Sequence, residues 1–457
     1  MRRHLAVILL AVLALAAPAA AAGTPRVLVV PPFPLERYAG QGAVGLLAPG
    51  AGETVTREGA LASLLAGKVR SSLLGGVPPG ARLLRLGEGS GPTVYVSLPP
   101  PGRSSVDRRY PIAVVGEGFH GLLTSDSTRI PGLVSVADVA TGKLRWQADD
   151  HAVATLERLD RRIDRNNRWR LWATIAAATA LIAAGTLRPR WGPRALLLAL
   201  ALNLWLSPWL AAAAALLALA LPLGAACAAV LAAYLVSMGL DAQTVALSPL
   251  GPSQAGRFFG VDNLIETLLL AAGLLGAARL GRAGIAVAAL ALVAVAGNRF
   301  GADGGGLVVL LAGFLALALR LRGAALTPRR LALVAAGAIA LGLVLVGFDA
   351  ATGGHSHVTR AVGDGPGALA RDVGDRLEVS VRRTVYAPGP AFVVLVALAG
   401  LAVVATRRPR RPVTDALLVA LVVSLLVNDT PSDVLGIGAA AAFALRRFEG
   451  SPSGVAR

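Results

Sequence analysis

From Leu171 to the last residues the chain passes through one apolar stretch after another, built mainly of Ala, Leu, Val and Gly. Several exceed the ~18 residues that a helix needs to cross a bilayer, and others approach it. Lipid offers the backbone no hydrogen-bond partners, so such segments must satisfy their N–H and C=O groups internally, as helices. Spans are expected over 171–187 and near 262–278, 284–297, 305–320, 331–348, 390–406, 413–428 and 434–446. A further apolar run over 195–240 is broken by Pro208 and Pro222. The fold class this implies is mainly α: a polytopic helical membrane domain of about nine to eleven spans, preceded by a small exported α/β domain.

The formal net charge of +18 would suggest a nucleic-acid partner in a soluble chain, but 55% of the residues are hydrophobic and only 15% charged. Most C-terminal arginines lie between apolar stretches, where they orient a membrane protein. Basic patches interleaved with aromatics are missing, so no nucleic acid is expected. Cys227 is the only cysteine, which leaves no intrachain disulfide and no CxxC metal motif.

Residues 1–23 read as a signal peptide, with Arg2 and Arg3 as the basic segment, 5–17 as the apolar segment and small residues from Pro18 to Gly23. Residues 24–165 are long enough for one small domain. Short β-rich runs at Arg26–Val30, Thr93–Ser97, Ile112–Val115 and Leu133–Val136, with a helical pattern over Ala60–Val69, point to α/β. The charged run Arg158–Arg170 reads as a solvated or headgroup-contacting lead-in to the first span. Residues 166–447 form the transmembrane domain, and 448–457 a cytoplasmic tail.

Arginine placement sets an expected orientation. Arg188, Arg190, Arg194, Arg279, Arg282, the 320–330 segment, the 407–411 segment and Arg446–Arg447 would face the cytoplasm. The glycine-rich loops Ser248–Asn263 and Gly297–Gly306, the 349–388 loop and the Asn428–Asp433 loop then face outward. That pattern requires an odd number of crossings within 195–240. One is too few for its length, and three would each be short at ~1.5 Å rise per residue, so a long kinked helix plus a half-helix or interfacial piece is expected.

Charges inside such a background are costly and mark function by default. Arg257, Asp262, Asn263 and Glu266 come from the first loop and its helix; Asn298, Arg299 and Asp303 from the second; Asn428, Asp429 and Asp433 from the third. Asp262 and Glu266 are four residues apart, hence on one helix face. Arg257 and Arg299 have the chemistry to clamp a phosphate, and Gly304–Gly306 would open a helix with free N–H donors. A structural account stands beside this: Asp303 as an N-cap, Asp262 ion-paired with Arg257 or Arg299, and glycines at close-packing positions.

Gly52–Gly67 and Leu133–Thr141 resemble the nucleophile segment and a late strand of the alkaline-phosphatase-like superfamily. That resemblance implies Thr56 as nucleophile at a helix start. It also implies metal ligands where two strands end, but there this chain has Pro31–Pro32 and Leu98–Pro99–Pro100. Proline and leucine cannot ligate zinc, so a degenerate, non-catalytic head with no metal and no cofactor is expected. His120 and Asp126 read as an ordinary surface pair.

The loop set resembles an uncharacterised group of bacterial membrane proteins with a phosphatase-like exported head, whose loops read S-P-x-x-x-G-R-F-x-G-x-G-N, G-A-D-x-G-G and N-D-S. Here Asp262 replaces the second glycine of G-x-G-N. More loosely, the chain is similar to O-antigen ligases and polymerases, which carry a histidine in a long outer loop. That likeness implies a base from His355 in a loop that also holds His357, Arg360, Arg371, Arg376, Arg382 and Arg383.

Two functions remain open on these readings. One is binding or transport of a phosphate-bearing lipid-linked ligand at the outer face of a bacterial cytoplasmic (inner) membrane. It would use Arg257, Asn263, Asn298, Arg299, Asp303, Asn428 and Asp429. The other is glycosyl transfer from a lipid diphosphate, with Asp262, Glu266 or His355 as base. Membrane lipids, a polyprenyl-phosphate-linked glycan and neighbouring envelope proteins are the expected partners, and a structural role in an envelope assembly is the third possibility.

Overall fold

The computed structural model describes residues 24–76, 84–351, 366–409 and 411–455. The expected signal peptide, His355, His357 and Arg360 lie outside the described residues. The chain divides into two compact units: one runs to Arg161 without Ser71–Gly75, and the other takes Ser71–Gly75 and everything from Arg162 onward.

The first unit is built on a mixed seven-stranded sheet. Its strands are β1 (Arg26–Val30), β2 (Gly42–Ala48), β4 (Thr93–Ser97), β6 (Tyr110–Val115), β7 (Gly121–Ser125), β8 (Leu133–Ser135) and β9 (Leu144–Gln147). The spatial order is β1-β4-β6-β2-β7-β9, with β8 beside the far end of β2. A separate antiparallel pair joins β3 (Thr54–Thr56) to β5 (Arg103–Ser105). Helix α1 (Arg57–Ala66) follows β3, so it starts three residues earlier than the periodicity suggests. Strands β2, β3, β5, β7 and β9 are additions to the expected set. β2 is buried along its whole length and so reads as a continuous apolar run instead of an alternation.

The second unit is helical. Its helices are the part of α2 (Ala152–Leu187) from Arg162 onward, α3 (Gly192–Asn203), α4 (Pro208–Ala220), α5 (Leu223–Leu240), α6 (Asn263–Arg279), α7 (Gly284–Ala296) and α8 (Gly304–Leu321), then α9 (Pro328–Ala351), α10 (Pro366–Tyr386), α11 (Pro388–Thr406), α12 (Pro412–Val427) and α13 (Pro431–Glu449). Six of them open on a proline, a residue suited to the first helical position because its missing N–H would have no partner there. Among the described residues five helices are long and apolar enough to cross a membrane: α2, α5, α8, the first 18 residues of α9, and α11. Large apolar side chains stay exposed on α2 (Leu171, Trp172, Ile182) and α11 (Phe392, Leu395, Val396), as suits helices facing lipid.

Helix α6 is the central post. Every residue from Asn263 to Ala277 is buried, as expected for a helix apolar all round. Its glycines allow close approach: a β-carbon on Gly276 would stand 2.8 Å from Cys227 Cβ, and one on Gly273 3.0 Å from Ala291 Cβ.

The 195–240 run resolves into three helices instead of a long kinked one. α3 and α4 pack as an antiparallel pair: Arg194, near the start of α3, donates to Ala218 O and Leu221 O at the far end of α4. At 12 and 13 residues they rise only about 18 and 20 Å, and the 18-residue α5 makes the longer passage. The 349–388 segment also departs from expectation, since its second half is the 21-residue helix α10.

The helix termini gather at two ends. At one, Arg320 pairs with Asp415 at 2.9 Å, and Glu449 accepts hydrogen bonds from Val413 N, Thr414 N and Thr414 Oγ1 at 3.1, 2.9 and 2.6 Å. Glu449 thereby occupies the N-terminus of α12, where free N–H groups favour an anion. The other end carries the polar loops.

Candidate functional site

The loops before α6 and α8 are welded through their backbones. Val261 N donates to Gly301 O at 3.1 Å. Gly260 has φ +77°, and a β-carbon there would collide with the Gly301 and Phe300 backbones. One on Gly301 would collide with the carbonyls of Val295 and Ala294. Glycine is required at these points for close backbone approach. Asp262, which stands where the resembling loops have a further glycine, has an extended backbone with φ −96° that any residue adopts.

Asp262 and Asp303 are both N-caps. Asp262 Oδ1 accepts from Ile265 N at 3.2 Å and Asp303 Oδ1 from Gly306 N at 3.0 Å, each supplying a partner to an otherwise orphaned N–H. Their second oxygens take arginines. Arg257 Nη1 donates to Asp303 Oδ2 at 3.0 Å, and its Nη2 donates to Gly301 O at 3.2 Å. Asp262 pairs with neither Arg257 nor Arg299. Its partner is Arg170, whose Nη2 donates to Asp262 Oδ2 at 2.5 Å and to Asp433 Oδ2 at 3.0 Å, while Nη1 donates to Gly251 O.

Arg170 is the site residue that sequence reasoning misses, because it closes a charged run that reads as a solvated lead-in. One turn earlier on α2, Asn166 donates to Leu247 O. The i, i+4 spacing of Asn166 and Arg170 thus matches Leu247 and Gly251 and docks that loop on one helix face. The available signal is position: Arg170 immediately precedes the apolar run of α2 and lies well inside a 36-residue helix.

Glu266 occupies the middle of the cluster. It is 0% exposed; Oε2 accepts from Asn428 Nδ2 at 3.0 Å, while Oε1 is buried with no hydrogen-bond partner. Asn428 Nδ2 also donates to Ser424 Oγ at 2.8 Å. Asn263 Nδ2 donates to Thr430 Oγ1 at 2.6 Å. Asp262, Asn263, Glu266, Asp303, Asn428 and Arg257 are therefore brought together, joined by Asp433 and Arg170.

The rest are peripheral. Arg299 is exposed on the turn that contains Gly301, with no hydrogen bond or ion pair among the described residues, so the two expected arginines do not close on one point. Asn298 is half-buried in the same turn. Asp429 belongs to a neighbouring contact in which α10 reads the third loop through its backbone. Arg376 Nη1 donates to Val427 O at 3.2 Å, Ser380 Oγ to Asn428 O at 2.9 Å and Arg383 Nη1 to Asp429 O at 3.0 Å. Residues 376, 380 and 383 lie on one helix face.

In the first unit Thr56 is the N-cap of α1, its Oγ1 accepting from Gly59 N at 3.1 Å. Neighbouring Arg57 donates to Pro99 O at 3.1 Å. β1 and β4 are parallel neighbours with Val30 opposite Ser97, so Pro31–Pro32 and Leu98–Pro99–Pro100 leave the sheet side by side. His120 and Asp126 do not meet: His120 packs against Trp146 with ring centroids 3.9 Å apart, and Asp126 pairs with Arg145 at 3.0 Å. Among the described residues no three His, Cys, Asp or Glu side chains gather as a metal-ion site.

No family model matches the chain, and no curated protein or solved structure matches it.

Proposed function

We propose that this is a multi-pass protein of a bacterial cytoplasmic membrane that binds, or moves, a phosphate-bearing lipid-linked ligand at the Asp262 end, with residues 24–165 outside the cytoplasm. The observation that carries the reading is the exposure of two separate guanidiniums at the rim, each open to a phosphate oxygen. Arg257 is anchored by Asp303 and Gly301 O but keeps a side chain 34% exposed, and Arg299 is exposed on the turn that contains Gly301. Guanidinium N–H groups recognise phosphate oxygens through paired, charge-assisted hydrogen bonds. The interior of the cluster is acid-rich, which confines an anion to this rim. In the head, prolines stand where the resembling phosphatases have ligands, and Thr56 is engaged as a cap; we read it as a non-catalytic domain.

Glycosyl transfer needs a base that touches its acceptor. Glu266 is sealed from solvent, and Asp262 is held by Arg170 and by its own helix, so neither is placed for that step.

The test is lipid analysis of the purified chain and of Arg299→Ala, a change at an exposed side chain. Retention of a phosphate-bearing polyprenyl lipid by the wild type, reduced about tenfold in the variant (roughly 1.4 kcal/mol of binding) with unchanged thermal stability, is the expected result. Equal retention, or none in either, contradicts the reading.

A further inference from the structure

The charges of the cluster do not balance. Asp262 and Asp433 share Arg170, and Asp303 has Arg257. Glu266, the most deeply buried of the acids, has only the amide of Asn428. A carboxylate sealed from water without an ion-pair partner of its own is strongly destabilising, and here one oxygen lacks even a hydrogen bond.

Beside it, Gly305 and Gly306 bring the start of α8 close to the same groups without side chains of their own. At the position of a β-carbon on Gly305 the nearest atoms are all oxygens: Asn428 Oδ1 at 2.6 Å, Asp303 Oδ1 at 3.5 Å and Val427 O at 3.6 Å. The corresponding point on Gly306 lies 2.6 Å from Val295 Cγ1, 3.1 Å from Asp303 Cγ and 3.2 Å from Glu266 Cδ. The orientation of the Asn428 amide follows from its partners: Nδ2 faces the acceptors Glu266 Oε2 and Ser424 Oγ, which turns Oδ1 to Gly305.

We propose that Glu266, Asp303, Asn428 and the carbonyl of Val427 form a site for a small monovalent cation, sodium or a proton, at the junction of α6, α8 and α12. Hard cations take oxygen ligands of this mixed carboxylate, amide and backbone kind. A single positive charge supplies what Glu266 lacks, whereas a divalent ion would overcompensate a site in which Arg257 already neutralises Asp303. The charged groups around Glu266 are Asp303 at the start of α8, Arg257 of the first loop and, at the start of its own helix, Asp262 with Arg170 and Asp433; from α10, Arg376 donates to the Val427 carbonyl. α12 contributes only Ser424 and the adjoining amide of Asn428. The inference stands whether or not the rim arginines bind a phosphate.

The experiment is thermal unfolding of the full chain in detergent, first with sodium replacing choline at constant ionic strength and alkaline pH, then with pH lowered in choline alone. Sodium as the ligand raises the melting temperature of the wild type by about 2 °C for each tenfold increase above its dissociation constant. Gly305→Ala, which places a methyl group among the three oxygens, and Glu266→Gln, which removes the charge, both abolish that rise. A proton as the ligand gives no sodium response and a rise on acidification that Glu266→Gln abolishes. If Glu266→Gln does not fold, Glu266→Asp replaces it, because withdrawing the carboxylate by one methylene must weaken either response. A wild type indifferent to both sodium and pH overturns the site. So does a response that survives unchanged in the Glu266 variant.

Discussion

Arg170 and Asp262 stand 92 residues apart in the chain and 2.5 Å apart in space. The same guanidinium holds Asp433 at 3.0 Å and the carbonyl of Gly251, so one side chain of α2 ties together the entries of α6 and α13 and the first polar loop. Removing one partner of a buried ion pair typically costs about 3–5 kcal/mol, because the other charge is left uncompensated. Arg170→Ala is expected to lower the melting temperature sharply, and Arg170→Lys to recover only part, since a single ammonium cannot reproduce the forked contacts. Thermal unfolding beside Arg299→Ala checks this; equal stability of the two alanine variants would contradict it.

The contact between the first two glycine-rich loops gives a second expectation. Gly301→Ala would drive a methyl group into the backbone carbonyls of Val295 and Ala294, whereas a β-carbon added to Gly347 in α9 would meet no heavy atom within 4 Å. Overpacking costs about 1–3 kcal/mol, while replacing an unhindered helical glycine by alanine gains up to about 1 kcal/mol. The two substitutions should therefore move stability in opposite directions in a denaturation series. A neutral Gly301→Ala would mean that the loops can part freely.

Thr56 separates a structural from a catalytic head. As a cap on Gly59 N it should be replaceable by Ser at little cost, and Thr56→Ala should cost about 0.5–2 kcal/mol. Hydrolysis of a chromogenic phosphodiester by the full chain should stay at background in wild type and variant alike. Turnover that disappears in Thr56→Ala would overturn the non-catalytic reading.

Orientation can be read from single cysteines, because native Cys227 is fully buried and contributes little background. Arg299→Cys should react with a membrane-impermeant maleimide in intact cells. Arg322→Cys, exposed after α8, should react only once the membrane is opened. The reverse pattern would invert the proposed topology.

Much of this site was legible because its residues are expensive. Asp262, Glu266, Asp303 and Asn428 interrupt sequence that is otherwise apolar, and the alternation of arginine-rich and glycine-rich connections placed their loops together. Arg170 was not legible in the same way. It ends the run Asp164–Arg170, which is charged or amide throughout except for Trp169, and nothing local separates its half-buried, ion-paired guanidinium from the solvated arginines before it. The pairing of Asp262 depended on that missing residue. In the head, β1 and β4 stood out as β-rich runs beside turn residues, while β2, buried on both faces, offered no period to read. The 195–240 run misled for a related reason: length alone does not distinguish one kinked helix from the short antiparallel pair α3–α4, whose hairpin is secured by Arg194 reaching the carbonyls at the end of α4.

The most direct test of the central claim is native mass spectrometry of the intact chain with a polyprenyl phosphate and the matching polyprenol, identical in tail and differing only in the phosphate. Preferential retention of the phosphate form, lost in Arg299→Ala while the protein stays folded, is the result expected of a phosphate-recognising rim. Equal retention of the two lipids would show that only the tail is recognised and would contradict it.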